Sequence, residues 1–235
     1  MRIAGLQKMT LLDYPGNVAC TVFLQGCNFR CPFCHNSGLL SGEGPDELSE
    51  AEFFSFLESR RGLLDAVCVS GGEPTLQPEL PGFLGRIKAM GYRVKLDTNG
   101  SRPDVLKALA EGSLLDYVAM DVKNSPCHYG RTVGIPAYDT KKIEESIRFL
   151  LTGAVDYELR TTVVDALHSD DSILRMGQWL RSLSPEKLVK RLYLQRFVQR
   201  DSVLLPGLNP PAEEDLARFV RILQPFVHQV EIRGE

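Results

Sequence analysis

Three of the six cysteines, Cys27, Cys31 and Cys34, fall within eight residues in the run Gly26-Cys27-Asn28-Phe29-Arg30-Cys31-Pro32-Phe33-Cys34-His35-Asn36. The spacing is C-x3-C-x2-C. Thiolates are soft donors suited to zinc, Cu(I) or iron–sulfur clusters, and a compact loop brings three of them onto one inorganic core. Three ligands leave one iron of a four-iron cluster without a protein donor. Such an open position can bind and activate a substrate, as it does in catalytic zinc sites. The alternative is a structural zinc completed by His35 or a remote cysteine, although zinc modules usually show paired C-x2-C spacings and a second pair is missing. Cys20 and Cys68 lie inside apolar runs, where cysteine behaves as a small hydrophobe. Cys127 stands in a loop-like segment with no partner evident in the sequence.

The elements that must position these thiols follow from hydrophobic periodicity. Strands are expected at 18–24, 66–70, 92–97, 117–121, 157–164 and 191–197, with a further one at 227–232. Helices are expected near 49–61, 79–90, 103–111, 140–152, 170–183 and 212–224. Ser49 with Glu52 three residues on has the form of a capping box, and Asp139 and Pro211 stand where a cap and a first-turn proline would. Six strand–helix units in alternation imply parallel strands joined by right-handed crossovers. The expected fold is α/β, a partial (β/α)6 barrel, with an open doubly wound sheet second, since eight units are needed to close a full barrel. Residues 1–235 read as a single domain, with a hairpin-like extension at 1–17, a core at 18–200 and a final helix and strand at 201–235. Segments 37–45 and 125–136 read as long loops beside the site.

Composition agrees with one globular domain: 235 residues, 43% hydrophobic and 24% charged, enough to bury a sizeable core. The net charge of −3 gives no reason to expect nucleic acid or an anionic membrane as partner. The amino terminus lacks a signal-peptide apolar core, and no stretch approaches the roughly 18 consecutive apolar residues of a membrane span. A cytoplasmic address is therefore expected. Six cysteines are too few for a disulfide framework in a chain of this size.

In parallel α/β proteins ligands bind at the carboxyl ends of strands. Polar residues recur there: Ser70-Gly71-Gly72-Glu73-Pro74, Asp97-Thr98-Asn99-Gly100, Asp121-Val122-Lys123, Arg160 to Thr162, and Gln195-Arg196. Gly71 and Gly72 permit close backbone approach, and Glu73 offers an acceptor for an ammonium group. Asp97, Thr98 and Asp121 are a candidate set of hard oxygen ligands for a cation.

The cysteine loop, with the aromatic Phe33 just before its last cysteine, resembles the signature of the radical S-adenosylmethionine (SAM) enzymes, and Gly71-Gly72-Glu73-Pro74 resembles that family's second motif. The resemblance implies a [4Fe-4S] cluster on Cys27, Cys31 and Cys34, with SAM chelating the open iron. It places the amino group of SAM at the Gly71–Glu73 turn, the carboxylate near Lys123, and Phe33 and His35 along the adenosyl group. No general acid or base is required.

The opening segment Gly5-Leu6-Gln7-Lys8-Met9-Thr10-Leu11-Leu12-Asp13-Tyr14-Pro15-Gly16, together with Cys34-His35-Asn36, is similar to the glycyl-radical-enzyme activating proteins. More closely, it is similar to the group named anaerobic ribonucleoside-triphosphate reductase activating proteins. The implied partner is a glycyl radical enzyme, with reduced flavodoxin or ferredoxin as electron donor. One departure is that Arg196-Phe197-Val198 follows Gln195, with no histidine near the sixth strand end, where related activating enzymes offer one to the nucleoside. Competing readings are an activase of pyruvate formate-lyase type, a small-molecule enzyme such as a 7-carboxy-7-deazaguanine synthase, and a zinc-binding module.

Overall fold

The structure, a computed structural model, describes residues 1–41 and 48–234. The strands are β1 (Ile3–Thr10), β2 (Ala19–Leu24), β3 (Ala66–Gly71), β4 (Arg93–Thr98), β5 (Tyr117–Asp121), β6 (Asp156–Val163), β7 (Val189–Arg196) and β8 (Val227–Arg233). The α-helices are α1 (Glu50–Ser59), α2 (Leu80–Ala89), α3 (Pro103–Glu111), α4 (Pro126–Val133), α5 (Lys141–Thr152), α6 (Asp170–Leu183) and α7 (Glu213–Leu223). The strands form one sheet in the order β1-β2-β3-β4-β5-β6-β7-β8, linear and not closed. β1 is antiparallel to β2, while the pairs β2–β3, β3–β4, β6–β7 and β7–β8 are parallel. The six expected strand–helix units run from β2 to α7. Among the described residues no helix is long and apolar enough to cross a membrane.

The chain groups into two compact units: Met1–Asn28, Gly38–Thr98 and Asp104–Ala119 form the first, and Phe29–Ser37, Asn99–Pro103 and Met120–Glu235 the second. In the first, β3 is a continuous apolar run because both faces are covered, and Ala66, Val67, Cys68 and Val69 are fully buried, as in parallel sheets generally. Register puts Thr21, Cys68 and Lys95 on one rung. Lys95, only 1% exposed, is tolerated there because its ammonium closes on the Asp97 carboxylate, since a buried charge must be paired. Helix α1 starts at the expected capping box: the Ser49 hydroxyl accepts from the Glu52 N–H at 3.2 Å, and Glu52 accepts from the Ser49 N–H at 2.9 Å. Its Phe53 and Phe54 pack on Phe83 of α2, with ring centroids 5.3 and 5.4 Å away. The second arm of the amino-terminal hairpin is β2 itself. The Thr21 hydroxyl donates to Asp13 at 2.5 Å and ties the intervening turn back to the sheet.

Several local expectations need correction. The segment 125–136 is not a loop but contains α4, which starts on Pro126 at its first turn and ends at Gly134 in the left-handed conformation. That proline and glycine are ordinary helix delimiters; they read as loop residues only because few periodic apolar positions lie between them. The cap of α5 is Thr140, and Asp139 instead accepts from the Lys141 N–H at 3.1 Å. Pro211 precedes the Ala212 cap of α7 and is not in its first turn. In the 37–45 loop, Ser37–Leu39 makes a 3-10 turn, while positions 42–45 lie outside the described residues.

Candidate active site

In the first unit the turn after β3 lies directly against the backbone entering Cys27. A β-carbon on Gly72 would stand 2.1 Å from the Gly26 carbonyl oxygen and 3.2 Å from Cys27 Cβ. One on Gly71, whose φ is +125°, would stand 2.3 Å from Leu24 backbone atoms. Both glycines are therefore obligatory, and the Glu73 N–H can then donate to the Gly26 carbonyl at 2.8 Å. From the other side, the N–H groups of Gly26 and Cys27 donate to Leu39 and Leu40 carbonyls at 2.7 and 3.3 Å. The Gln77 side chain donates to the Gln25 carbonyl at 2.7 Å.

Glu73 is wholly buried. Its carboxylate accepts from the Thr75 N–H at 3.1 Å, from the Thr75 hydroxyl, and from the Thr98 hydroxyl at 2.8 Å. It thus caps the 3-10 turn Pro74–Leu76. The only sequence signal for Thr75 is its place two residues after an acid, that of a capped turn. Asp97 is engaged by Lys95 and by the Ser70 hydroxyl at 3.1 Å.

In the second unit the stretch carrying Cys31 and Cys34 is gripped from several directions. The Arg30 N–H donates to the Val133 carbonyl at the end of α4 at 2.9 Å, and the Leu205 N–H to the Pro32 carbonyl at 2.8 Å. A β-carbon on Gly134 would stand 2.2 Å from the Arg30 oxygen. The Cys34 N–H donates to the Cys31 carbonyl at 3.0 Å, closing a turn between the two thiols. His35 stacks on Phe197 with centroids 5.5 Å apart and places Nε2 2.7 Å from the Val198 carbonyl. The sequence shows no histidine near the end of the sixth core strand, yet the fold delivers one there from the cysteine loop.

Phe33 is buried with its ring centroid 5.7 Å from Lys123 Nζ. Asp121 bridges two cations, Lys123 at 2.8 Å and Arg160 at 3.0 Å, leaving this group of three one net positive charge. Burial alone would raise the Asp121 carboxyl, but Arg160 and Lys123 outweigh it and hold it at about 2. Burial would likewise lower the Lys123 ammonium, and Asp121 reverses that and raises it. The Cys34 thiol is pushed up by burial, against the Asn36 N–H and the charges of Lys123 and Arg30, which favour thiolate.

The family model described as Radical SAM superfamily matches residues 21–164. The chain belongs to the radical SAM superfamily. It is 30% identical over 239 residues to a Methanocaldococcus jannaschii protein provisionally described as a glycyl-radical enzyme activating enzyme, covering 98% of this chain and 95% of that one. It is 29% identical over 246 residues to the pyruvate formate-lyase 1-activating enzyme of Escherichia coli strain K12, covering 97% of each. In fold it is similar to a radical SAM methyltransferase from Sphaerobacter thermophilus, with a TM-score of 0.72 and 17% identity over 96% of this chain and 68% of that chain.

Radical SAM chemistry implies a [4Fe-4S] cluster and SAM, and three closely spaced thiols suit the cluster. Of the three cysteines, Cys31 is buried and Cys27 and Cys34 are partly covered. Among the described residues no three His, Cys, Asp or Glu side chains form a group able to hold one metal ion. A four-iron cluster presents a different iron to each thiolate, so its ligands need not meet at a point. The same observation bears on Asp97, Thr98 and Asp121: their side chains are engaged by Lys95 and Ser70, by Glu73, and by Lys123 and Arg160 respectively. Cys127, whose partner was missing in the sequence, has Sγ 3.2 Å from His128 Nδ1 and 3.5 Å from Ser125 Oγ.

The part-buried Asp121 and the buried His168 make stability depend on pH. Asp121, held at about 2 when folded against about 3.9 when unfolded, contributes stability above pH 4 that is lost as pH falls through 2. His168 is lowered by burial from 6.5, so the unfolded chain takes up its proton first and stability falls as pH drops below 6.5. The urea midpoint is therefore expected to decline from pH 7 to pH 5, and less so in His168→Gln. A midpoint that rises over that interval would contradict the assignment.

Proposed function

We propose that this chain is an activase that generates a glycyl radical on a partner enzyme, anaerobic ribonucleoside-triphosphate reductase. The observation that carries this reading is likeness over nearly the whole length, 97–98% of this chain and 95–97% of the relatives, to proteins named for glycyl radical enzyme activation. A shared cofactor domain alone would not extend so far. The choice of reductase rests on the segment from Gly5 to Gly16 and on Cys34-His35-Asn36. An activase of pyruvate formate-lyase type is the second reading, favoured by the Escherichia coli relative.

In this reading Cys27, Cys31 and Cys34 hold the cluster as thiolates. When bound, the cluster and SAM supply reductive cleavage of the sulfonium to methionine and a 5′-deoxyadenosyl radical, the electron coming from reduced flavodoxin or ferredoxin. The Gly71–Glu73 turn would receive the amino group of SAM, and Glu73 would add negative charge there. Lys123 would meet the carboxylate, and the net positive charge it shares with Arg160 and Asp121 favours an anion. Phe33 and His35 would line the adenosyl group and exclude water. Asp97 sets the electrostatics beneath the turn through Lys95 and Ser70.

The test is to incubate the reconstituted, reduced protein and SAM with each glycyl radical enzyme separately and to record electron paramagnetic resonance spectra. A glycyl doublet on the reductase, absent when SAM is omitted, is the expected result. A doublet only on pyruvate formate-lyase selects the second reading. 5′-Deoxyadenosine formed with no protein radical on either would overturn both.

A further inference from the structure

The turn after β5 carries Lys123, and buried side chains pin its backbone. His168 Nε2 lies 2.9 Å from the Lys123 carbonyl, and the Val164 N–H donates to His168 Nδ1 at 3.1 Å. A carbonyl accepts only from a protonated nitrogen, so a neutral imidazole here carries its hydrogen on Nε2 and keeps the Nδ1 lone pair for Val164. Burial, which disfavours the imidazolium, keeps His168 in that neutral form. Asn124, fully buried beside it, donates through Nδ2 to the Leu167 carbonyl at 2.8 Å and to Thr132 Oγ1 at 3.1 Å. The strand itself is fixed just upstream, where the Thr161 hydroxyl donates to the Val122 carbonyl at 2.7 Å.

With its peptide held on both sides, Lys123 has little freedom in where its side chain leaves the turn. The ammonium reaches Asp121 Oδ2 at 2.8 Å and stands 5.7 Å from the Phe33 ring. Loss of the His168 contact would free the Lys123 carbonyl to turn while Asp121 still attracts the ammonium.

We propose that His168 is a positioning residue for SAM: by holding the Lys123 carbonyl it aims the Lys123 ammonium at the methionyl carboxylate. This rests on the reading of Lys123 given under the proposed function. A purely structural histidine would be replaceable by any side chain that restores folding. A positioning histidine is replaceable only by one that restores the Nε2–H donor. Glutamine places an amide N–H near that atom, whereas asparagine places its amide near Nδ1 and falls short of the carbonyl.

The experiment measures SAM affinity of the anaerobically reconstituted holoenzyme by equilibrium dialysis without reductant, so that no turnover contributes. Lys123→Met is expected to weaken binding roughly tenfold or more, as loss of a charge-assisted contact does. His168→Leu and His168→Asn are expected to weaken it roughly tenfold, the scale for residues that orient a ligand-binding group. His168→Gln should stay within about threefold of wild type by the same reasoning, and His168→Leu should add nothing in the Lys123→Met background. Folding of each variant is followed by fluorescence of the single tryptophan, Trp179, which packs on Tyr129 at 6.2 Å; if the leucine variant does not fold, the Gln and Asn pair decides. Wild-type affinity in Lys123→Met overturns the roles of both residues. Weakened binding in Lys123→Met with wild-type affinity in His168→Asn, or additive losses in the double variant, overturns the role of His168 alone.

Discussion

Replacement of Cys27, Cys31 or Cys34 singly by alanine is expected to leave a folded protein that reconstitutes with less iron and cleaves SAM at background rate. Two thiolates cannot hold a four-iron cluster against loss of a corner ligand, and the two core cysteines are poor substitutes. Burial pushes Cys20 and Cys68 up to about 12, so both are neutral thiols at pH 7 and poor ligands. Cys127→Ser should retain full iron. Cys20→Ser should also retain it while losing about 1–3 kcal/mol of stability, the cost of burying a hydroxyl among apolar neighbours. Iron content and 5′-deoxyadenosine yield, measured side by side on the five variants, check the division. Wild-type turnover in any of the first three would remove that residue from the site.

Gly72→Ala is expected to have the next largest effect, although no side chain is lost. The new methyl would begin 2.1 Å from the Gly26 carbonyl oxygen, a backbone atom. Relief requires the turn after β3 and the chain entering Cys27 to move apart, breaking the Glu73 N–H to Gly26 contact of 2.8 Å. Overpacking of this kind costs about 1–3 kcal/mol, and Cys27 moves with the backbone it follows. Both thermal stability and cluster retention should fall together. Gly82→Ala is the control: its methyl meets nothing within 4 Å inside α2, so it should stabilise by about 0.5–1 kcal/mol. Unchanged iron content in Gly72→Ala would mean that the turn does not set the position of Cys27.

The features legible in the sequence are those whose information is local. Cys27, Cys31 and Cys34 announce themselves by spacing, because ligands on one loop must be close in sequence. Gly71 and Gly72 announce themselves because only glycine tolerates the approach they make. The six strand–helix units emerge from apolar runs whose period belongs to each segment alone, and the capping box at Ser49 and Glu52 spans three residues. Where delimiters stand without an apolar pattern between them, as in 126–133, the sequence does not announce the helix.

What the tertiary structure decided is which charges and hydrogen bonds meet, since these partners are distant in the chain and each side chain has several chemically acceptable mates. Glu73 finds Thr98, 25 residues away, and Asp121 finds Arg160, 39 residues away. His168 reaches Lys123 across 45 residues, and His35 reaches Val198 across 163. A thiol loop can be read from its spacing. The aim of Lys123 and the place of His35 depend on which polar partners meet, and only the packed chain determines that.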